Sequence, residues 1–253
     1  MDKIKLAWIF LLFLSACCSI TITQADSNPT LKSLQAAYPD SIKKVTSNYI
    51  DWRDGTRMPV QGSFPLFNHV MGWIYHVDRS VGSISKQDLI DDEYEPFFKK
   101  MYGKSANEVK EHLVTMYWMP HVFGYRYPMR VTTVNGVDKK LRRISAELEK
   151  LSPTYYRYLE NPGGSFYWRK VAGQSYLSSH SFGIAIDINS HYSNYWLWDY
   201  QKYKKPVSQL PRPNRIPMEI VRIFEKEGFF WGGRWYFYDT MHFEYRPELF
   251  VAG

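Results

Sequence analysis

Apolar residues recur at helical spacing between residues 137 and 151. One stripe contains Val137, Leu141, Ile144, Leu148 and Leu151. Lysine, arginine and glutamate fill the opposite face, so the pattern predicts an amphipathic helix over 137–151.

A second stretch of similar spacing follows Ser105 and Glu108, which form a capping-box pattern. The apolar positions there are Val109, Leu113, Met116 and Tyr117. This spacing predicts a helix that ends before Pro120, because proline cannot continue a helix. Further along, Pro217 is well placed to begin a helix running to about Glu227, with Gly228 as its stop.

Other segments alternate or are rich in β-forming residues. "DWRDGTRMPV" (51–60) predicts a hairpin around Asp54-Gly55. "NPGG" (161–164) predicts a turn, and "SFYWRKVAG" (165–173) and residues 183–188 predict strands. The final segment "FFWGGRWYFYDTMHFEYRPEL" predicts extended structure broken at Gly232-Gly233. Short strands mixed irregularly with separate helices predict an α+β fold with an antiparallel sheet flanked by helices.

The first 25 residues predict an export signal. Lys3 and Lys5 precede an apolar run too short for a comfortable membrane span, and polar residues follow. Two cleavage sites stay open: one after Thr23-Gln24-Ala25, and a lipobox-like Leu14-Ser15-Ala16-Cys17 that would leave Cys17 lipidated. We predict a bacterial periplasmic or cell-envelope protein with an N-terminal extension over 26–108, packed on a catalytic domain over 109–253.

Composition narrows the chemistry of the exported chain. Both cysteines, Cys17 and Cys18, lie in the predicted signal, so the mature chain would have neither a disulfide nor a thiolate ligand. The formal net charge is +7 from 32 basic and 25 acidic residues. The basic residues are scattered, which is typical of a solvated surface or of attraction to an anionic polymer. Because an exported protein meets cell wall or lipid first, we expect no nucleic-acid partner, and membrane contact only through a lipid on Cys17.

"SSHSFGIAID" (178–187) carries the most specific signal. On a strand, isoleucines 184, 186 and 188 would face the core, while Gly183, Ala185 and Asp187 would leave an open space beside a carboxylate. A bend at 181–183 would bring His180 and Asp187 together. The sequence alone leaves two interpretations, a metal site or a structural histidine and a turn-capping aspartate.

A catalytic zinc site needs a third ligand. His242 in "YDTMHFEY" is the main candidate, and His191 is a weaker one. On an alternating strand, Met241 and Phe243 would face inward and His242 and Glu244 outward. Asp239, three residues before His242, is suited to act as a general base. Glu244 competes for that role, or would orient the imidazole.

Two motifs together resemble the D-alanyl-D-alanine carboxypeptidase and L-alanyl-D-glutamate peptidase family of zinc metallopeptidases. "LSSHSFGIAIDIN" matches its Ser-x-His-x-x-Gly-x-Ala-x-Asp signature, and "GFFWGGRWYFYDTMHFEYRPEL" is similar to its closing segment with Asp-x-x-His. The resemblance covers about residues 130–253. It implies an antiparallel sheet flanked by helices, the fold shared with the hedgehog signalling domain.

The resemblance also implies site residues. It implies one zinc ion held by His180, Asp187 and His242, with Asp239 as the catalytic base. Arg169 would stabilise the oxyanion or bind substrate, and Ser178 would contact substrate. We add Arg234 as a second candidate for a substrate carboxylate. Aromatic residues are expected to wall the groove, namely Tyr192, Trp196, Trp231 and Trp235.

The function implied is hydrolysis of peptidoglycan stem peptides, most simply as a D-Ala-D-Ala carboxypeptidase. An L-Ala-D-Glu endopeptidase is the alternative within enzymes, and a non-catalytic zinc-stabilised cell-wall binding module is the alternative outside them. Oligomeric state is not predicted.

Overall fold

A computed structural model describes residues 34–60, 95–172, 175–235 and 237–250. The predicted signal segment with Cys17 and Cys18 lies outside the described residues. No helix within the described ranges is both long enough and apolar enough to span a bilayer.

Within the described ranges, eight short strands form three antiparallel sheets. The first sheet contains β1 (Ile42–Val45), β2 (Tyr49–Trp52) and β3 (Arg57–Pro59). The second pairs β4 (Leu113–Tyr117) with β5 (Pro128–Thr132). The third has the order β6–β8–β7, from β6 (Ala185–Asp187), β8 (His242–Tyr245) and β7 (Phe229–Trp231).

Helices lie between and around these strands, so the predicted α+β class is confirmed, with three small sheets in place of one. The helices are α1 (Glu95–Tyr102), α2 (Ala106–Glu111), α3 (Pro120–Phe123), α4 (Val137–Leu148), α5 (Trp196–Tyr203) and α6 (Met218–Lys226). The hairpin at 51–60, the helix over 137–151 and the helix after Pro217 are confirmed, although α4 stops at Leu148 and Pro217 caps α6 from outside.

The predicted helix after Ser105 is only partly correct. Ser105 does cap α2 by accepting a hydrogen bond from the Glu108 amide, but α2 ends at Glu111 and Leu113–Tyr117 is strand β4. The segment LVTMY is rich in residues that favour strands, and its pairing with β5 outweighs the helical spacing. Pro120 therefore begins α3 rather than ending a helix.

The predicted strand over 165–173 is wrong. Within the described residues of this segment, the pairing consists of one isolated bridge between Lys170 and Leu177. The Ser181 side chain bonds this segment instead, because its hydroxyl donates to the Arg169 carbonyl at 2.8 Å and accepts from the Arg169 amide at 2.9 Å. The segment is thus tied to the turn that carries His180.

One hydrophobic core connects the third sheet to the helices. Phe224 of α6 stacks on Phe243 of β8 with ring centroids 3.9 Å apart. The isoleucines at 184, 186 and 188 are fully buried in this core, as is the predicted stripe up to Leu148, while Leu151 is partly buried against it. Residues from the predicted extension join it, since Phe98 of α1 packs on Phe182. The assignment of 26–108 as an extension stays a prediction.

Candidate metal centre

The register of the third sheet places two candidate ligands side by side. In the antiparallel pair of β6 and β8, Asp187 lies directly opposite His242 and Ile186 lies opposite Phe243. Alternation along both strands then sends the Ile186 and Phe243 side chains to the core and the Asp187 and His242 side chains to the other face. His242 and Glu244 share a face as predicted, but both are buried rather than outward.

His180 reaches the same place from a short 3-10 turn, Ser179–Phe182. Ser178 caps this turn by accepting a hydrogen bond from the His180 amide. Gly183 ends it in the left-handed region at φ 68°, where a Cβ would meet Leu113 Cδ2 at 2.6 Å. The predicted bend between His180 and Asp187 is therefore present, and it requires glycine.

Three ligand atoms converge as a result. His180 Nε2 lies 3.2 Å from Asp187 Oδ1 and 3.2 Å from His242 Nδ1, and His242 Nδ1 lies 2.9 Å from Asp187 Oδ1. In the part of the chain that the structure describes, this is the group of His, Asp, Glu or Cys side chains whose geometry could hold a metal ion. His191 is not a member of it.

The outer nitrogen of each imidazole already has a partner. His180 Nδ1 lies 2.5 Å from the Ser165 carbonyl oxygen, which can only accept. His242 Nε2 lies 3.2 Å from Glu244 Oε2. These partners assign an N–H to each outer nitrogen, which leaves His180 Nε2 and His242 Nδ1 to face each other and the Asp187 carboxylate. This is the arrangement that protein zinc sites use to orient their histidines.

The spacing fits zinc. Bonds of about 2.0–2.1 Å in a tetrahedral site place ligand atoms about 3.3 Å apart. The three observed separations of 2.9–3.2 Å are close to this value. Two imidazoles and one carboxylate are also a donor set typical of catalytic zinc, which keeps one position open.

Hydrogen bonds and charges within the group favour a proton on His242. Burial opposes a charge on His242, but hydrogen bonds with Asp187 and Glu244 outweigh it and raise the pKa of His242 to about 10. Burial likewise opposes ionisation of Asp187, yet the charge of His180 and the hydrogen bonds of both imidazoles hold its pKa well below its usual range. The site therefore favours positive charge at its centre.

Asp239 lies beside this group, on the turn that leads into β8. Its Oδ1 accepts from the Met241 amide at 3.3 Å, and its backbone amide donates to the Gly232 carbonyl at 3.0 Å. Burial and the negative charge of Asp187 raise the pKa of Asp239 to about 7. A carboxylate of this pKa is suited to exchange protons at neutral pH.

Arg169 is exposed and lies near Tyr195. Tyr195 in turn forms an isolated β-bridge with Asp239. Burial and the charge of Asp239 raise the pKa of the Tyr195 hydroxyl, while Arg169 lowers it. The charges of Arg169 and Asp239 thus both act on the Tyr195 hydroxyl, and the role of Arg169 at the site stays a prediction.

Three residues that were predicted to contact substrate also have structural roles in the fold. Ser178 is buried as the cap of the His180 turn. Trp231 is a core residue rather than a groove wall, since its ring packs against Phe243 and its Nε1 donates to the Thr240 carbonyl at 3.0 Å. Arg234 forms a two-point ion pair with Glu225 at 2.6 and 2.9 Å.

Sequence reasoning missed two groups that contact the site. The Ser179 hydroxyl lies 3.2 Å from His242 Nε2, and the Ser165 carbonyl orients His180. Ser179 adjoins His180 in sequence, which could have drawn attention to it. A backbone carbonyl fifteen residues upstream leaves no trace in residue type.

Comparison with known protein families gives a match over the region that contains the candidate metal group. Residues 172–245 match the model of the D-alanyl-D-alanine carboxypeptidase family, which confirms the resemblance recognised from the two motifs. The match contains His180, Asp187, Asp239 and His242, while Arg169 lies outside it. No curated protein and no solved structure matches the chain.

Proposed function

We propose that this protein is an exported zinc metallopeptidase that hydrolyses a peptide bond in peptidoglycan stem peptides, most simply as a D-Ala-D-Ala carboxypeptidase. The match of residues 172–245 supports a peptidase of the carboxypeptidase kind. The observation that carries the proposal is the convergence of His180, Asp187 and His242 with both outer imidazole nitrogens occupied. That arrangement has donor atoms for one divalent cation, and Asp239 stands next to it.

In this proposal His180, Asp187 and His242 hold the zinc ion. The ion would supply Lewis-acid polarisation of the carbonyl and lower the pKa of water to about 7. Asp239 takes a proton from the attacking water on its carboxylate and gives it to the departing amine. In this proposal Arg169 would supply a guanidinium to the negative charge that develops on the carbonyl oxygen.

Cleavage of the D-Ala-D-Ala bond is proposed from the family description. One structural observation favours the endopeptidase alternative. A carboxypeptidase needs a cation for the terminal carboxylate of its substrate. The ion pair with Glu225 occupies Arg234, one of the two arginines suited to this. Arg169 would then have to serve the terminal carboxylate, or the substrate would be held along an open groove.

Digestion of defined muropeptides, followed by mass spectrometry with and without a chelator, tests the proposal. Release of free D-alanine from pentapeptide identifies a carboxypeptidase, and cleavage between L-Ala and D-Glu identifies the endopeptidase. Asp239→Ala should keep zinc bound and lower kcat/KM by about 10²–10⁴-fold. His180→Ala should lose zinc, as measured by elemental analysis. Glu219 is an exposed residue of α6, so Glu219→Gln is the matched control. Its kcat/KM and its zinc content should equal those of the parent.

Two results would reject the proposal. Stoichiometric zinc in His180→Ala would remove His180 from the ligand set. Unchanged cell-wall behaviour in Asp239→Ala, with no product from any muropeptide, would favour the binding module instead.

A further inference from the structure

A continuous line of buried side chains leads away from His242, on the side opposite the other two candidate ligands. His242 Nε2 contacts Glu244 Oε2 at 3.2 Å, and Arg246 Nη1 donates to Glu244 Oε1 at 3.0 Å. Arg246 Nε then donates to Glu248 Oε1. The Tyr38 hydroxyl completes the line by donating to Glu248 Oε2 at 2.5 Å. Tyr38 precedes Glu248 by 210 residues, so the line ends in the segment before β1.

Each carboxylate in this line bridges two donors with separate oxygens. Glu244 accepts from Arg246 with Oε1 and faces His242 with Oε2. Glu248 accepts from Arg246 with Oε1 and from Tyr38 with Oε2. A carboxylate held at both oxygens cannot rotate without breaking a bond, so the position of Glu244 Oε2 depends on the partners behind it.

All four side chains are removed from solvent. Tyr38 and Glu248 are 0% exposed, Arg246 is 4% exposed and Glu244 is 6% exposed. Breaking a buried ion pair by removing one partner is costly, because the other charge stays buried without compensation. The aromatic ring of Phe98 covers the Arg246 guanidinium at 5.2 Å. These surroundings indicate a rigid arrangement rather than an accidental surface contact.

The charges of the line and the metal group match a divalent cation. Asp187, Glu244 and Glu248 carry three negative charges when ionised, and Arg246 supplies one positive charge. When His242 is neutral, as a metal ligand must be, two negative charges stay uncompensated in a buried region, which is unfavourable. A doubly charged ion beside Asp187 and His242 would neutralise them.

We propose that Arg246, Glu248 and Tyr38 are positioning residues for the metal ligand His242, acting through Glu244. They hold Glu244 Oε2 against His242 Nε2, and this keeps Nδ1 directed at Asp187 and His180. The segment containing Tyr38 thereby becomes a structural part of the metal centre. This inference rests on the proposed zinc site, because it assigns His242 as a ligand.

Zinc affinity of the full chain, measured by competition with a chromophoric chelator, tests this inference. Tyr38→Phe removes only the hydroxyl, and Glu248→Gln removes only the charge. Both should weaken zinc binding by about tenfold, the lower end of the contribution of partners to ligating histidines. Tyr102→Phe is the matched control, because it removes another buried hydroxyl, which accepts from Asn135 Nδ2 at 3.3 Å. Its zinc affinity should equal that of the parent.

A double-mutant cycle separates positioning from general destabilisation. If Tyr38 acts through Glu244, the losses of zinc affinity in Tyr38→Phe and Glu244→Gln should not add in the double variant. Equal zinc affinity in Tyr38→Phe and Tyr102→Phe would overturn the inference, and so would fully additive losses. Should Glu248→Gln fail to fold, the nearly isosteric Tyr38→Phe decides alone. Retention of zinc by His180→Ala would instead reject the zinc site itself, so the two failures are distinguishable.

Discussion

Replacing Gly163 by alanine tests whether the turn at 161–164 sets the position of the Asp187 carboxylate. Gly163 donates its amide hydrogen to the Asp187 carbonyl at 2.8 Å, and Asp187 donates to the Gly164 carbonyl at 3.0 Å. A Cβ on Gly163 would lie 2.9 Å from Asp187 Cβ and 3.7 Å from Asp187 Oδ2. The residue is exposed and its φ is outside the left-handed region. The new methyl group therefore meets one obstacle, the proposed metal ligand Asp187.

The size of the effect follows from this contact. Carbon atoms at ordinary contact are about 3.5–4.0 Å apart, so Asp187 Cβ must move by roughly 0.6 Å or more. Functional sites tolerate displacements of about 0.5 Å. We expect Gly163→Ala to weaken zinc binding by about 10–100-fold, similar to the loss of a partner of a ligand. Overpacking should cost the metal-free protein about 1–3 kcal/mol, partly offset by the reduced entropy of the unfolded chain.

Chelator competition gives the zinc affinity, and urea unfolding of metal-free protein gives the free energy of unfolding. Pro162→Ala is the control, because it changes the neighbouring position to the same side chain without approaching Asp187. Zinc affinity of Gly163→Ala within twofold of the parent would refute the reasoning, since Asp187 would then be movable without consequence for the metal. Loss of affinity in both variants would assign the effect to the turn as a whole.

Three further expectations concern residues near the site. Trp231→Ala should lower the free energy of unfolding by about 3–5 kcal/mol in urea, because it removes a core ring that packs on Phe243. Arg234→Ala should cost less than about 1 kcal/mol, because its pair with Glu225 is partly exposed, and should leave muropeptide hydrolysis unchanged. Zinc should displace the proton that the raised pKa of about 10 keeps on His242 at neutral pH, so affinity should rise about tenfold per pH unit between pH 6 and 8. Calorimetry in two buffers of different ionisation enthalpy would measure this proton release, and affinity independent of pH would contradict it.

The candidate site was predictable because each of its strands carries a local signal. Ile184, Ile186 and Ile188 alternate with Asp187 on the opposite face, and the structure buries the isoleucines fully. The α4 helix was predictable for the same reason, since its apolar stripe has one period throughout. Local pattern and tertiary packing agree in both segments.

The misassigned segments lack this agreement. Leu113–Tyr117 satisfies a helical spacing by coincidence, but pairing with β5 determines its conformation. Residues 165–171 look like a strand, yet their partners are the Ser181 side chain and the turn before His180. Trp231 was expected in a groove because aromatic residues suit both grooves and cores. The packing of Trp231 on Phe243 identifies it as a core residue.

The hydrophobic alternation of β6 and β8 also explains why the ligands meet. A shift of the β8 register by one residue would move His242 to the core face and place Phe243 beside Asp187. Phe243 stacks on Phe224 of α6 with ring centroids 3.9 Å apart, so that shift would place a histidine in the apolar core and separate Phe243 from its stacking partner. The shift would cost both this apolar packing and the buried hydrogen bonds of His242 and Glu244. The core residues of the third sheet, which touch no substrate in our proposal, thereby hold Asp187 and His242 opposite each other.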